Sequence, residues 1–163
     1  MAVGAVQFLL RHRADVGARD QDDNTPLHLA YYGIDLELVR ILLDHGANVN
    51  AEENRGRTPL HQVLGDKTYY SFEILFRVTR LLMERGADVN KTDKDHEVPL
   101  HLASRFLFLD VAWILLRGGA DPNVENNDGN IPFQLVQESL REEMERLPSD
   151  EDPIKRAKER ALA

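Results

Sequence analysis

The sequence predicts an all-α solenoid of stacked helix pairs, and three observations predict it. A short phrase returns four times, as Thr25-Pro26-Leu27-His28, Thr58-Pro59-Leu60-His61, Val98-Pro99-Leu100-His101 and Ile131-Pro132-Phe133-Gln134, at spacings of 33, 40 and 33 residues. A second phrase recurs between the copies: Ile41-Leu42-Leu43-Asp44-His45-Gly46-Ala47-Asn48-Val49-Asn50, then residues 81–90, then residues 114–123. Within each copy the apolar residues keep helical spacing. Repetition at this period marks an array in which each unit is too small to bury its own apolar faces and leans on its neighbours.

The elements follow in order. Residues 1–21 read as a partial first repeat that holds only the second helix, with Val3, Val6, Leu9 and Leu10 as its stripe. Arg13 stands there where later copies carry glycine. The expectation is a truncated repeat, either a fragment of a longer array or an end covered by another chain. Residues 22–54 are the best-formed copy. Thr25 caps a helix that Pro26 begins, since proline's fixed φ and missing N–H do no harm at the first helical position. Leu27 and Ala30 share one face of it, and Leu36, Val39, Leu42 and Leu43 stripe the second helix. Gly46 is placed to end that helix in a left-handed cap.

Residues 55–94 form a repeat with seven extra residues, around Asp66-Lys67-Thr68-Tyr69-Tyr70-Ser71-Phe72, and residues 95–127 form the next. Residues 128–163 read as a divergent helical C-terminal cap. Phe133, Val136, Leu140, Met144 and Leu147 are spaced for one long amphipathic helix. Pro148-Ser149-Asp150-Glu151 breaks it. Asp152-Pro153 offers a second start, for a short helix with Ile154, Ala157 and Leu162 and a basic set of Lys155, Arg156, Lys158 and Arg160.

Composition narrows the function. Twenty Lys+Arg against 28 Asp+Glu give a net charge of −8, which argues against a nucleic-acid ligand because phosphate binding relies on clustered cations. There is no cysteine, so disulfides and thiolate metal sites are out. No apolar run approaches the roughly 20 residues that span a bilayer, and no secretory signal is visible. A cytoplasmic or nuclear home is expected, with no membrane association. No glycine-rich phosphate loop, nucleophile elbow or paired-histidine zinc helix appears, so no catalytic residue and no cofactor are expected. His28, His61 and His101 invite a metal reading. Their place three residues after each cap instead suits a hydrogen bond with the cap, and helices pack about 10 Å apart whereas zinc holds its ligands near 2 Å. Val98 and Ile131 lack the hydroxyl, so weaker turn networks are expected in their repeats.

The two phrases resemble the ankyrin repeat, in which Thr-Pro-Leu-His opens a first helix and Leu-Leu-x-x-Gly-Ala-Asp-Val-Asn closes a second. The resemblance covers roughly residues 1–134. It implies helix–turn–helix pairs with extended turns, and a partner protein held by the turn tips and the first helices. Carried over position by position, the tips are Gln21, Asp22 and Asn24, then Asn54, Arg55 and Arg57, then Lys94, Asp95 and Glu97, then Asn127, Asp128 and Asn130. The helix positions are Tyr32 and Arg105, with Gly65 and Asp66 at the insertion. Two readings stand for this column: a charge-patterned binding groove, or ordinary soluble turn residues.

The family normally places Gly-His between the two helices of a repeat, where this chain has Ile34-Asp35 and Leu107-Phe108. With Tyr31, Tyr32, Tyr69, Tyr70, Phe72, Phe106 and Phe108, aromatic residues gather along one edge. An interface and self-packing both account for them. The family's asparagine hydroxylation maps to Asn50 and Asn90. The expected function is a non-catalytic protein-binding module, monomeric unless another chain covers the truncated end. The alternative is an inhibitor, or the substrate-receptor portion of a larger enzyme or regulatory complex.

Overall fold

The computed structural model describes residues 2–30, 36–65 and 71–145, with side chains described for 3–30, 36–65 and 71–138. Among them lie eight helices: α1 (Ala2–Arg11), α2 (Pro26–Leu29), α3 (Leu36–Asp44), α4 (Pro59–Leu64), α5 (Phe72–Glu84), α6 (Pro99–Arg105), α7 (Leu109–Arg117) and α8 (Pro132–Glu145). No strand occurs among the described residues. The helices form two rows. α1, α3, α5 and α7 pack in succession as an outer row, and α2, α4, α6 and α8 as an inner row. α2 pairs with α3, α4 with α5 and α6 with α7, closing one repeat each.

Each inner helix begins at its proline for a local reason. The residue before a proline is pushed out of the helical region. Thr25, Thr58 and Val98 accordingly sit at φ −86°, −89° and −91° with extended ψ. The helix then starts one residue later, where proline costs nothing. Between the rows runs one apolar seam. Leu27, Leu42, Leu60, Leu64, Leu75, Leu82, Leu102 and Leu115 are each at most 2 % exposed. Burying one such side chain contributes about 1.5–3 kcal/mol, and every one of them needs atoms from an adjacent helix.

The expected extra length in the third repeat is partly helix. α5 has 13 residues against nine in α3 and α7. On the repeat register Phe76 matches Leu36 and Leu109, so α5 starts one turn early. Ser71 supports that turn, its Oγ accepting from Ile74 N–H at 3.3 Å. At the other end, α8 runs 14 residues without turning back. Its stripe differs in one respect from the expected one: Leu135 is buried and Val136 half-buried, whereas Phe133 is exposed. The residues matching Phe133 (Leu27, Leu60 and Leu100) are buried, and no second helix is paired with α8 among the described residues. Leu140 and Met144 lie on α8 but their side chains fall outside the described set, and Leu147 and residues 148–163 lie outside the described residues.

The glycine that ends each outer helix sits at φ +85° (Gly46), +86° (Gly86) and +90° (Gly119). Arg13 holds the same place in α1 at φ +64°. A side chain there costs roughly 1 kcal/mol that glycine avoids. Phe8 and Leu9 on α1 are exposed, although the matching Ile41, Leu42, Leu81 and Leu82 are buried, because no helix packs on that side of α1 among the described residues.

Arg13→Gly is expected to raise the unfolding free energy by about 1 kcal/mol; a urea midpoint unchanged or lowered would show that this turn is unstrained. The Thr79 hydroxyl on α5 is buried with no hydrogen-bond partner among the described residues. Valine keeps its shape without the unmet polar group, so Thr79→Val should stabilise by about 1 kcal/mol, read in the same titration.

Candidate functional site

The turns between repeats are built around a single acceptor. In each, a side chain five residues before the helix cap turns back onto its own loop. Asp20 Oδ1 accepts from the N–H groups of Asp22 (2.9 Å) and Asn24 (2.8 Å). Glu53 Oε1 does so for Arg55 (2.8 Å) and Arg57 (3.0 Å). Asp93 Oδ1 holds Asp95 and Glu97, both at 2.9 Å, and Asn126 Oδ1 holds Asp128 (3.1 Å) and Asn130 (2.9 Å). Asn24 Nδ2 also donates to Asp20 Oδ2 at 3.1 Å; partial desolvation pushes the exposed Asp20 carboxyl up, but the side-chain bond from Asn24 and the backbone N–H bonds of Asn24 and Asp22 outweigh it and hold the group below its ordinary range. Sequence reasoning missed this column, although its acidic or amide residues recur on the same 33, 40, 33 period.

Successive tips are then joined through the backbone. Asn54 N–H donates to Asp22 C=O at 3.1 Å, Lys94 to Arg55 at 2.9 Å and Asn127 to Asp95 at 3.0 Å. The result is a continuous row. Gln21, Asp22, Asn54, Arg55, Lys94, Asp95, Asn127 and Asp128 are all exposed along it, and Asn24 and Asn130 are half-buried.

Three expected binding residues face elsewhere. Glu97 is buried, and both its oxygens are taken by Arg105, with Arg105 Nη1 on Oε2 at 2.9 Å and Nη2 on Oε1. Asn126 Nδ2 adds a bond to Oε1 at 3.2 Å. Burial pushes the Glu97 carboxyl up, but the hydrogen bonds and charge of Arg105 outweigh it and hold Glu97 below its ordinary value. The Arg105 guanidinium is raised in turn, chiefly by its hydrogen bonds to Glu97. Arg57 donates from Nε to the buried Asp93 Oδ2 at 3.1 Å. Arg57, Glu97 and Arg105 therefore brace one repeat against the next instead of lining an open groove. Their position in the repeat could not reveal this, because the carboxylate that captures each arginine lies in a different loop or helix.

The histidines are tied just as firmly. Thr25 N–H donates to His28 Nδ1 at 3.1 Å, with the Thr25 hydroxyl 2.9 Å from the same nitrogen. Thr58 and His61 repeat this at 3.2 and 2.9 Å. His28 Nε2 lies 3.0 Å from Arg57 C=O, His61 Nε2 3.1 Å from Glu97 C=O and His101 Nε2 3.0 Å from Asn130 C=O. A backbone N–H can only donate and a carbonyl can only accept. Each ring is therefore neutral, with its proton on Nε2. Both ring nitrogens are thus engaged by protein groups, which leaves no lone pair for a metal. Val98 supplies only its N–H to His101, at 3.1 Å, one bond fewer. In the last copy Gln134 Oε1 takes the ring's part, accepting from Ile131 N–H at 2.7 Å.

Asn50 and Asn90 clamp the other side of the array. Asn50 Oδ1 accepts from Asp88 N–H at 2.8 Å while its Nδ2 donates to Gly86 C=O at 2.9 Å. Asn90 makes the same pair with Asp121 (2.8 Å) and Gly119 (2.9 Å). Hydroxylation at either residue would require the clamp to open first.

Along the aromatic edge, Phe108 is 7 % exposed and Phe72 72 %. Their rings meet edge to face at 6.0 Å, and Phe106 lies 5.9 Å from Phe108. Leu107 turns the chain there at φ +57° and lets Phe108 tuck inward. Phe106 and Phe108 are thus largely self-packed, and Phe72 stands open. Tyr31, Tyr32, Asp66, Tyr69 and Tyr70 lie outside the described residues.

A family model for three copies of the ankyrin repeat matches residues 2–76, and a model for many copies matches residues 76–116. The chain belongs to the ankyrin repeat family. Ankyrin repeats are generally protein–protein interaction modules, typically without catalysis. The matched span ends before α8, so the ankyrin signal fades where the helix pairing does. A search of curated proteins gave no match. No helix among the described residues is long and apolar enough to cross a membrane.

The ankyrin histidine ladder carries a pH dependence. Burial, partly offset by the bonds to the next repeat's carbonyl, lowers His28, His61 and His101 from 6.5. Below pH 6.5 the unfolded chain takes up protons that the folded one refuses, so stability falls as pH falls. Three rings give a slope of up to about 4 kcal/mol per pH unit. Urea midpoints from pH 7 to 5 should show it, and His61→Gln, which copies Gln134, should flatten it. A midpoint independent of pH over that range would contradict neutral rings.

Proposed function

We propose that this ankyrin array is a non-catalytic adaptor that holds a protein segment along its row of tips. Arg55 and Lys94 form the attractive centre of that row. The observation that carries this is the hydrogen bond from Lys94 N–H to Arg55 C=O, which sets two cationic tips side by side. Neither side chain enters an ion pair among the described residues. Asp22 and Asp23 flank the pair on one side, Asp95 and Asp128 on the other, all exposed.

In a chain of net charge −8, an acidic group on the partner is drawn to this pair, and basic groups to either side of it meet the flanking aspartates. Such charges set register and speed of association more than final affinity. Two adjacent cations are too few for a nucleic-acid backbone, which favours a protein partner. The rigid ladder beneath the tips supports the reading too, because a pre-ordered surface loses little freedom on binding.

A photo-crosslinking residue placed at Arg55 or Lys94 should capture a partner in cells. The same residue at Arg80, exposed on the outer row, should not. For the partner so identified, Arg55→Glu with Lys94→Glu should weaken binding about tenfold or more, since opposed like charges are costly. Equal capture at Arg80, or unchanged affinity, would count against the tip row.

A further inference from the structure

One turn carries a side chain that its counterparts lack. The third tip position of every turn is left-handed: Asp23 at φ +63°, Gly56 at +74°, His96 at +60° and Gly129 at +76°. Glycine takes this conformation without steric cost, and two of the four turns use it. The backbone therefore asks for no imidazole here, and a larger residue held in this region points to function.

His96 is exposed, and its Nδ1 lies 3.0 Å from Glu125 C=O in the following turn. A carbonyl can only accept, so Nδ1 carries the proton. The neutral ring then presents Nε2 as a bare acceptor, with no hydrogen-bond partner among the described residues. This is the opposite tautomer from His28, His61 and His101, whose nitrogens are both engaged. Protonating one of those three breaks a bond inside the fold. Protonating His96 breaks none: the bond to Glu125 stays, and only the outward nitrogen changes, from acceptor to donor. His12 and His45 also hold Nδ1 on a carbonyl, but at the ends of α1 and α3, away from the tips.

The charged groups around His96 are sorted by depth. On its own turn Lys94 and Asp95 are exposed, while Asp93 and Glu97 are buried and bound to Arg57 and Arg105. On the following turn Glu125 and Asp128 are exposed. Asn127 laces the two turns, its N–H on Asp95 C=O at 3.0 Å and its Nδ2 on Lys94 C=O at 3.1 Å. His96 thus stands where the cations Arg55 and Lys94 give way to Asp95 and Asp128.

We propose that His96 is a specificity-determining residue of the tip row, whose protonation decides whether the row's acidic end accepts a cationic side chain of the partner. This rests on the tip-row reading and adds a condition to it. With the ring neutral, Nε2 joins the carboxylates of Asp95 and Asp128 as an acceptor for an ammonium or guanidinium, which can only donate. With the ring charged, the same nitrogen offers an N–H, repels the incoming cation and offsets the two aspartates. Binding of a basic group at this end is then lost as pH falls through the range in which imidazoles protonate.

N-acetylarginine amide serves as the probe, followed by amide nitrogen–proton correlation spectra of the full chain at pH 7.5 and 6.0. It should shift the Asp95, His96 and Asp128 amides, with an apparent Kd about threefold higher at pH 6.0 because a like charge has been placed beside the site. His96→Gly adopts a turn that Gly56 and Gly129 already display. It should keep the spectrum of the array and bind the probe with a Kd that no longer depends on pH. Imidazole nitrogen shifts at pH 7.5 should give His96 the Nδ1–H form, against Nε2–H for His28, His61 and His101. An Nε2–H ring at His96, an equal pH dependence in His96→Gly, or no shift of these amides at pH 7.5 would each overturn the proposal. Cross-linking at Arg55 and Lys94 would survive any of those results; its failure would instead remove the tip row, and this proposal with it.

Discussion

A neutral imidazole sits at three successive junctions of this array, accepting from the helix cap of its own repeat and donating to the last carbonyl before the next. Because one partner can only give a proton and the other only take one, the ring's tautomer, orientation and distance are fixed together. His28, His61 and His101 thereby set how far each repeat lies from its successor. The leucine seam then supplies most of the favourable free energy. Burial of an apolar side chain is non-directional; the ring-to-carbonyl bonds give it a register.

The same division of labour separates the charged residues. Arg57, Glu97 and Arg105 are sequestered where loop and helix of adjoining repeats meet, and removing one of them would strand a buried charge. Arg55 and Lys94, only a few residues away, lie on the outside of the same turns. What decides between the two fates is alternation within the loop. Residues 55 and 57, or 95 and 97, both donate backbone N–H groups to the same acceptor side chain, yet the first of each pair points outward and the second into the stack.

The fold was legible because repetition amplifies weak local signals. One Thr-Pro-Leu-His phrase states a cap; four at a steady period state an architecture. The glycine positions of the outer caps were legible too, including the departure at Arg13, which adopts the left-handed turn without glycine's freedom. The tip row could be placed by position alone. Burial of Glu97 could not, because its partner Arg105 is eight residues along on a helix and Asn126 lies in the next turn. Nor could the exposure of Phe133, whose type and spacing match buried leucines and whose surroundings differ only because the outer row has ended.

Length variation in this array is absorbed at one rim. The longer third repeat spends part of its surplus on an additional turn at the start of α5, secured by Ser71, and the histidine bonds on either side keep lengths of 3.0 and 3.1 Å. The rim where helices reverse is thus mechanically insulated from the rim where loops are laced together. Segments grafted between inner and outer helices can change shape and chemistry while the laced side holds its pitch, which gives one molecule a variable edge and an invariant one.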